Sequence, residues 1–277
     1  MLSLYKQIKL IARILKKEGI KIDIKSTKYF LFTQNSLSTF RKCPLKFKKK
    51  YIDNIKWEIF KEDDSRKLGN DFHMLAYRYF SGIADEYLDY DEDEKMRVWF
   101  ERLKQAFPIN ESYRYLPEYK IRLSDGDERL EANYDLIIVK EDSIEIWDWK
   151  TRELDRQVDY IDSIQTKVYM YLLKRCVKEI FNMDVDYENI KMTYWTPEPG
   201  CEIDKLVYSK EKYDNDKGYI LKLLDEIYNY DYTKFNKQNY EKQCRFCEFD
   251  SFCRENSTVK QEFSSELSWN DVEEIEF

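Results

Sequence analysis

The stretch Ile144-Glu145-Ile146-Trp147-Asp148-Trp149-Lys150-Thr151 decides how this chain is read. Its alternation is that of a β-strand, so Asp148 and Lys150 project to one face and Trp149 to the other. The segment before it, Ala132-Asn133-Tyr134-Asp135-Leu136-Ile137-Ile138-Val139, is also strand-like, and Lys140-Glu141-Asp142 between the two is turn-like. If the strands pair as a hairpin, Asp135, Asp148 and the Lys150 ammonium meet at one end of a sheet. Two carboxylates would hold a hard divalent cation through oxygen, with phosphate and water filling the remaining positions. Such a cation would polarise a phosphate, while Lys150 would orient water or neutralise charge developing on the phosphorane. Taken alone, D-x-K is a common tripeptide that equally suits a surface strand ending in a salt bridge.

On the N-terminal side of this hairpin the pattern is mostly helical. Leu4, Ile8, Ile11 and Leu15 recur at helical spacing, and Phe40–Ile55 (apart from Pro44), Leu68–Phe80 and Glu92–Phe107 also read as helices. Tyr115–Leu123 is a first strand, closed by the turn Ser124-Asp125-Gly126-Asp127. Beyond the hairpin the pattern predicts a long helix over Val158–Ile180, a strand over Ile190–Trp195, a further strand over Cys201–Tyr208 and a helix over Lys210–Tyr228. The tail from Glu255 is polar and acidic, with poor order expected. This order predicts an α/β fold, a mixed central sheet flanked by helices. It divides into an N-terminal helical section (1–67), a core (68–235), a Cys-rich segment (236–256) and an acidic tail (257–277).

At 277 residues the chain can bury one large core or two small ones. Its 23 Tyr and 16 Phe against 6 Gly and 5 Pro fit a folded protein rather than a disordered one. The net charge of −7 is unevenly spread: residues 1–60 hold 15 Lys and Arg against four acids. That asymmetry suggests a basic face for a polyanion beside an acidic body, although a solvated helix surface explains charge runs as well. No apolar run is long enough to span a bilayer, and no small-residue cleavage site follows the basic stretch Leu2–Lys17, so a cytoplasmic protein is expected.

Six cysteines add a second pattern. Cys244, Cys247 and Cys253 form C-x₂-C-x₅-C, and Cys43-Pro44 stands far upstream. Clustered cysteines in a cytosolic chain bind metal more often than they form disulfides. Four thiolates suit Zn²⁺ or an iron–sulfur cluster, and one distant Cys plus a trio differs from the paired knuckles of a zinc ribbon. Cys176 and Cys201 read as buried free thiols.

Together these features resemble the PD-(D/E)XK nuclease superfamily, in its RecB-like branch. Gly69-Asn70-Asp71-Phe72-His73 resembles the G-x-x-x-H helix motif, and Asp135 matches the metal-binding aspartate of the second motif. Asp148-Trp149-Lys150-Thr151 resembles D-Y-K-T, and Gln165-Thr166-Lys167-Val168-Tyr169 resembles Q-x-x-x-Y. The similarity covers residues 36–253, with one departure: Ala132 stands where the second motif usually has Gly. The resemblance implies a restriction-endonuclease-like core. It implies Mg²⁺ or Mn²⁺ held by His73, the chain's one histidine, by Asp135, by Asp148 and by the Trp149 carbonyl. Lys150, Asp148 and Asp135 would be catalytic. Gln165 and Tyr169, four apart on one helix face, would line the site and contact the DNA backbone or orient the lysine. Glu118 would lend support from the first strand.

The cysteine arrangement, with Leu37-Ser38-Thr39-Phe40-Arg41-Lys42 leading into Cys43, is similar to the iron–sulfur members of that branch, the AddB nuclease domain and the CRISPR-associated exonucleases. It implies a 4Fe–4S cluster on Cys43, Cys244, Cys247 and Cys253, in a C-terminal extension, with Zn²⁺ as the alternative. The expected function is a deoxyribonuclease, an exonuclease on single strands or DNA ends, in recombination, repair or CRISPR spacer acquisition. Lys42, Lys46, Lys48, Lys49 and Lys50 would track phosphates. The competing expectation is a DNA-end-binding subunit that uses the fold mainly as a scaffold beside an integrase, a helicase or another replication protein.

Overall fold

The computed structural model describes residues 30–55, 64–83, 94–151, 160–198, 205–244 and 247–253. The expectations for Leu2–Lys17, for Cys201 and for the acidic tail lie outside them.

The hairpin forms. Strand β2 (Glu128–Val139) pairs antiparallel with β3 (Ile144–Trp149), from Leu136 opposite Trp147 to Val139 opposite Ile144. The turn is closed by the Lys140 N–H on the Ser143 carbonyl at 2.9 Å. Strand β1 (Arg114–Asp125) runs antiparallel along the whole of β2, and Gly126 adopts φ +57° in the connecting turn, a conformation glycine reaches without cost. Strand β4 (Ile190–Trp195) lies parallel to β3, and short β5 (Leu206–Val207) closes the order β1-β2-β3-β4-β5. Parallel neighbours need a crossover, here the helix α5 (Ile164–Phe181). The result is the expected α/β arrangement, a mixed five-stranded sheet with helices on both faces.

Remaining helices sort by face. Against one face lie α1 (Gln34–Lys42), α5 and α6 (Lys210–Tyr228), whose Leu37, Phe40, Val168, Leu172, Ile220 and Leu224 cover Ile121, Leu130, Ile137, Ile146 and Met192. Against the other lie α3 (Asp64–Phe80) and α4 (Glu94–Ala106), whose Phe72, Leu75, Trp99 and Leu103 cover Leu136, Ile138, Trp149 and Trp195. Each fully buried side chain of this size contributes about 1.5–3 kcal/mol, so both faces of the sheet are held firmly.

Three sequence expectations change in detail. The helix expected over Phe40–Ile55, apart from Pro44, is divided at Cys43, because Pro44 has no N–H to continue α1. The short α2 (Pro44–Phe47) then begins, capped by the Cys43 sulfur, which accepts the Lys46 N–H at 3.5 Å, and Lys48–Ile52 forms one π-helical turn. The long helix starts at Ile164 rather than Val158, because Ser163 Oγ accepts the Thr166 N–H at 3.1 Å and caps it there. Within the expected Cys201–Tyr208, the described strand is Leu206–Val207 alone. The segment before α1 belongs to the sheet as well: Phe32 bridges to Leu130, and a Thr33–Ser36 capping box starts α1.

One irregularity positions the site. Along β2, Leu130, Ala132 and Tyr134 face the α5 side, but Leu136 and Ile138 face the α3 side. The alternation changes phase at Asp135. Opposite it, between the paired rungs Pro117–Leu136 and Tyr119–Tyr134, Glu118 adopts φ +49°. A non-glycine residue in the left-handed region of a strand is strained, and Pro117 beside it cannot donate to the ladder. Among the described residues no helix is long and apolar enough to cross a membrane.

Candidate active site

Gly69 brings α3 against the end of β3. A Cβ at that position would lie 2.9 Å from Thr151 Oγ1, so the close approach depends on glycine. One turn later His73 reaches over the kinked strands. Its Nδ1 lies 3.4 Å from Asp135 Oδ1 and 3.5 Å from Glu118 Oε1. The three side chains offer ligand atoms all within 4.8 Å of one another, the one such His/Cys/Asp/Glu group among the described residues. The sequence expectation puts His73 and Asp135 together and Glu118 beside them, and the structure brings all three side chains to one place. The left-handed backbone at Glu118 turns it toward His73, and the acid after a strand proline is the one hint in the sequence.

Asp148 sits next to this group on a different set of partners. It is buried, ion-paired with the Lys150 ammonium, and accepts a hydrogen bond from Gln165 Nε2. Its Oδ1 pairs with Lys150, and a carboxylate oxygen with one such partner keeps a second lone pair for a further donor or cation. Lys150 Nζ also donates to Gln165 Oε1 at 3.3 Å and lies 5.1 Å from the centre of the Tyr194 ring. Gln165 therefore holds both members of the Asp148–Lys150 pair. Trp149 turns its indole into the α3-side core, while its backbone N–H donates to Asp135 Oδ2 at 2.7 Å.

Tyr169 is buried, and its hydroxyl donates to the Asn133 carbonyl at 2.6 Å. Asn133 Nδ2 in turn donates to Glu118 Oε2 at 2.7 Å, and Tyr134, packed on Tyr169, donates to the Tyr169 carbonyl at 2.9 Å. Tyr169 thus braces β2, which presents Asp135, and through Asn133 the Glu118 side chain of β1. Asn133 and Tyr134 carry no signal in the sequence, because their parts depend on a carboxylate and backbone carbonyls brought to them only by folding.

The electrostatics match a site built for positive charge. Burial pulls the His73 pKa down, but hydrogen bonds and charges from Asp135 and Glu118 outweigh it and hold it at about 10. Burial pushes Glu118 up, yet the hydrogen bonds from His73 and Asn133 leave it below the ordinary range. Asp148 is raised, first by burial and then by the charge of Asp135, with Lys150 opposing. The donor set of one imidazole and two carboxylates, with the second lone pair of Asp148 Oδ1 beside it, fits a divalent cation.

At the other end of the chain, the C-terminal segment is joined to α2. Lys46 Nζ pairs with Glu248 at 2.7 Å, and Phe249 is buried. Cys43, Cys244, Cys247 and Cys253 are free and partly buried. Cys43 is close enough to feel Cys247 and Cys244, and Cys253 to feel Cys247 and Cys43. No three of these sulfurs lie within 4.8 Å of one another. Burial raises the Cys43 and Cys253 thiols, and it raises buried Cys176 to about 11, which suits an inert core thiol.

A sequence model of the PD-(D/E)XK nuclease superfamily matches residues 31–254. Among solved structures, the protein SSO0001 is 12% identical with a TM-score of 0.41, over 93% of this chain and 100% of its own. A protein of Eubacterium rectale, named as a candidate exonuclease, is 10% identical with a TM-score of 0.46, over 74% of this chain and 84% of its own. No curated protein sequence matches the chain.

Proposed function

Because the chain belongs to the PD-(D/E)XK nuclease superfamily, we propose that it is a Mg²⁺- or Mn²⁺-dependent deoxyribonuclease, acting as an exonuclease on single strands or DNA ends. The observation that carries this reading is the meeting of His73, Glu118 and Asp135 beside the Asp148–Lys150 pair at one end of the sheet. A divalent cation bound there would supply Lewis-acid polarisation of the scissile phosphate and charge neutralisation. His73, Glu118 and Asp135 would hold it, with Asp148 Oδ1 as the further donor.

Hydrolysis forms one P–O bond from water and breaks one ester P–O bond, passing through a phosphorane with extra negative charge. Lys150, paired with Asp148, would meet that charge and orient the incoming water. Gln165 fixes the lysine through its carbonyl oxygen. Tyr169 and Asn133 act as positioning residues, keeping Glu118 and Asp135 on the kinked rung.

The four cysteines support placing the chain in the iron–sulfur, RecB-like branch. A 4Fe–4S cluster on them would staple α1 and α2 to the C-terminal segment, which the Lys46–Glu248 ion pair already joins to α2. Anaerobic purification with iron and zinc analysis tests the cluster: about four irons per chain are expected, and stoichiometric zinc would replace the cluster with a zinc site.

Activity is tested with end-labelled single- and double-stranded DNA, with and without Mg²⁺ or Mn²⁺. Metal-dependent cleavage is expected, lost in Lys150→Ala and in Asp148→Ala. Cleavage that survives either substitution would refute the assignment.

A further inference from the structure

Helix α3 buries one stripe, Phe72, Leu75, Ala76 and Phe80, against the sheet. Its opposite face contains two large apolar residues in the open, Met74 at 57% exposure and Tyr77 at 38%. Scattered apolar residues on a surface need no explanation. These two differ in their place. At about 100° per residue, Tyr77 lies one turn beyond His73 and nearly above it. Exposed Asn70 lies one turn before it, and Met74 lies between Asn70 and Tyr77 on the outer face. The apolar pair therefore borders the group formed by His73, Glu118 and Asp135.

Around the same helix the next positions are Lys67, exposed, and Arg78, half-buried. Among the described residues neither has an ion-pair partner, and Met74 and Tyr77 have no ring contact. An aromatic ring and a thioether, with one uncommitted cation a turn beyond Met74 and another two turns before it on the same helix, at the edge of a phosphodiester-cleaving site, match the chemistry of an unpaired strand. The cations meet phosphates, and the apolar pair meets the face of a base. Inside a duplex those faces are covered by the neighbouring base pairs, so away from a duplex end only an unpaired base presents one.

We propose that the solvent face of α3 is a stacking platform for single-stranded DNA, with Tyr77 and Met74 receiving a base next to the scissile phosphate and Lys67 and Arg78 holding the flanking backbone. The choice of ligand rests on the nuclease reading, and the platform gives that site its preference for unpaired strands.

The test measures binding without cleavage. Full-length Lys150→Ala protein is titrated against a fluorescein-labelled oligodeoxythymidylate, and against a series in which one abasic site is walked along the strand. Fluorescence anisotropy is the readout. An abasic site at one position is expected to weaken binding about ten-fold, the scale of one base stacked on an aromatic ring. Adding Tyr77→Ala and Met74→Ala should weaken binding of the intact strand by a similar factor and remove its discrimination against the abasic one. Duplex affinity should be unchanged. Tyr77→Phe with Met74→Leu should bind like the parent, which separates lost stacking from a damaged fold. The proposal is overturned if every abasic strand binds like the intact one, if the double alanine variant still discriminates, or if no DNA binds. A protein with Lys150 intact that discriminates in binding but never cleaves would instead refute the nuclease reading and leave the platform standing.

Discussion

Gly69→Ala tests whether the helix carrying His73 is held in register with the end of β3. The introduced Cβ would lie 2.9 Å from Thr151 Oγ1, where ordinary contact begins at 3.4 Å, so the two elements must part by about half an ångström. Thr151 is β-branched and rotates reluctantly, which favours movement of the helix. Alanine raises helix propensity by roughly 1 kcal/mol over glycine, and overpacking costs about 1–3 kcal/mol, so stability changes little. Activity is the sensitive quantity. His73 lies one turn along the same helix, and a misplacement of about 1 Å near a reacting centre costs on the order of a hundred-fold. Half that displacement predicts about a ten-fold fall in the single-turnover cleavage rate, with the melting temperature within a few degrees of the parent. Thr151→Ala removes the clashing oxygen and leaves the 151 Cβ at 4.0 Å, an ordinary contact. The double variant should therefore recover most of the rate. The reasoning fails if Gly69→Ala cuts at the parent rate, or if Thr151→Ala, itself active, brings no recovery.

Further expectations concern the ligands and their braces. His73 is protonated at neutral pH in the metal-free protein, since its pKa is held up at about 10. A cation must displace that proton, so Mn²⁺ affinity should rise about ten-fold per pH unit from pH 6 to 9, with about one proton released per ion. Calorimetry in buffers of different ionisation enthalpy reads this directly, and a flat pH profile would remove His73 from the ligand set. Tyr169→Phe deletes the 2.6 Å hydrogen bond to the Asn133 carbonyl and leaves a buried acceptor, costing about 1–3 kcal/mol. Both melting temperature and Mn²⁺ affinity should drop, and unchanged affinity would confine Tyr169 to packing. Cys43→Ala should lower the melting temperature and the iron content together; a variant that melts and cuts like the parent would dismiss the staple.

Several features were legible before any coordinates. The alternation Ile144, Ile146 against Trp147, Trp149 placed Asp148 and Lys150 on one face, and the pairing of β2 with β3 follows from two strand patterns around a short turn. Lys210–Tyr228 matched its helix to the residue, because Ser209 is a strong N-cap and the apolar period is unbroken. These are local properties, written in spacing and in side-chain type.

Glu118 shows where such reading ends. A glutamate in a strand is unremarkable in sequence, and nothing local announces that its backbone will turn left-handed and switch the phase of two strands. Tyr169 is similar: the helix and its face were readable, but the destination of the hydroxyl, a carbonyl on β2, was not.

The opening octapeptide, with Asp135, therefore determined by itself a strand pair ending in two carboxylates and a lysine. Tertiary structure alone decided which acids gather around His73 and which one pairs with Lys150. The physical reason is that a ligand group depends on positions fixed to within about an ångström by packing among distant segments. A helix admitted by Gly69, a rung twisted at Glu118 and a tyrosine brace from α5 set those positions together, and no single stretch of sequence contains all three.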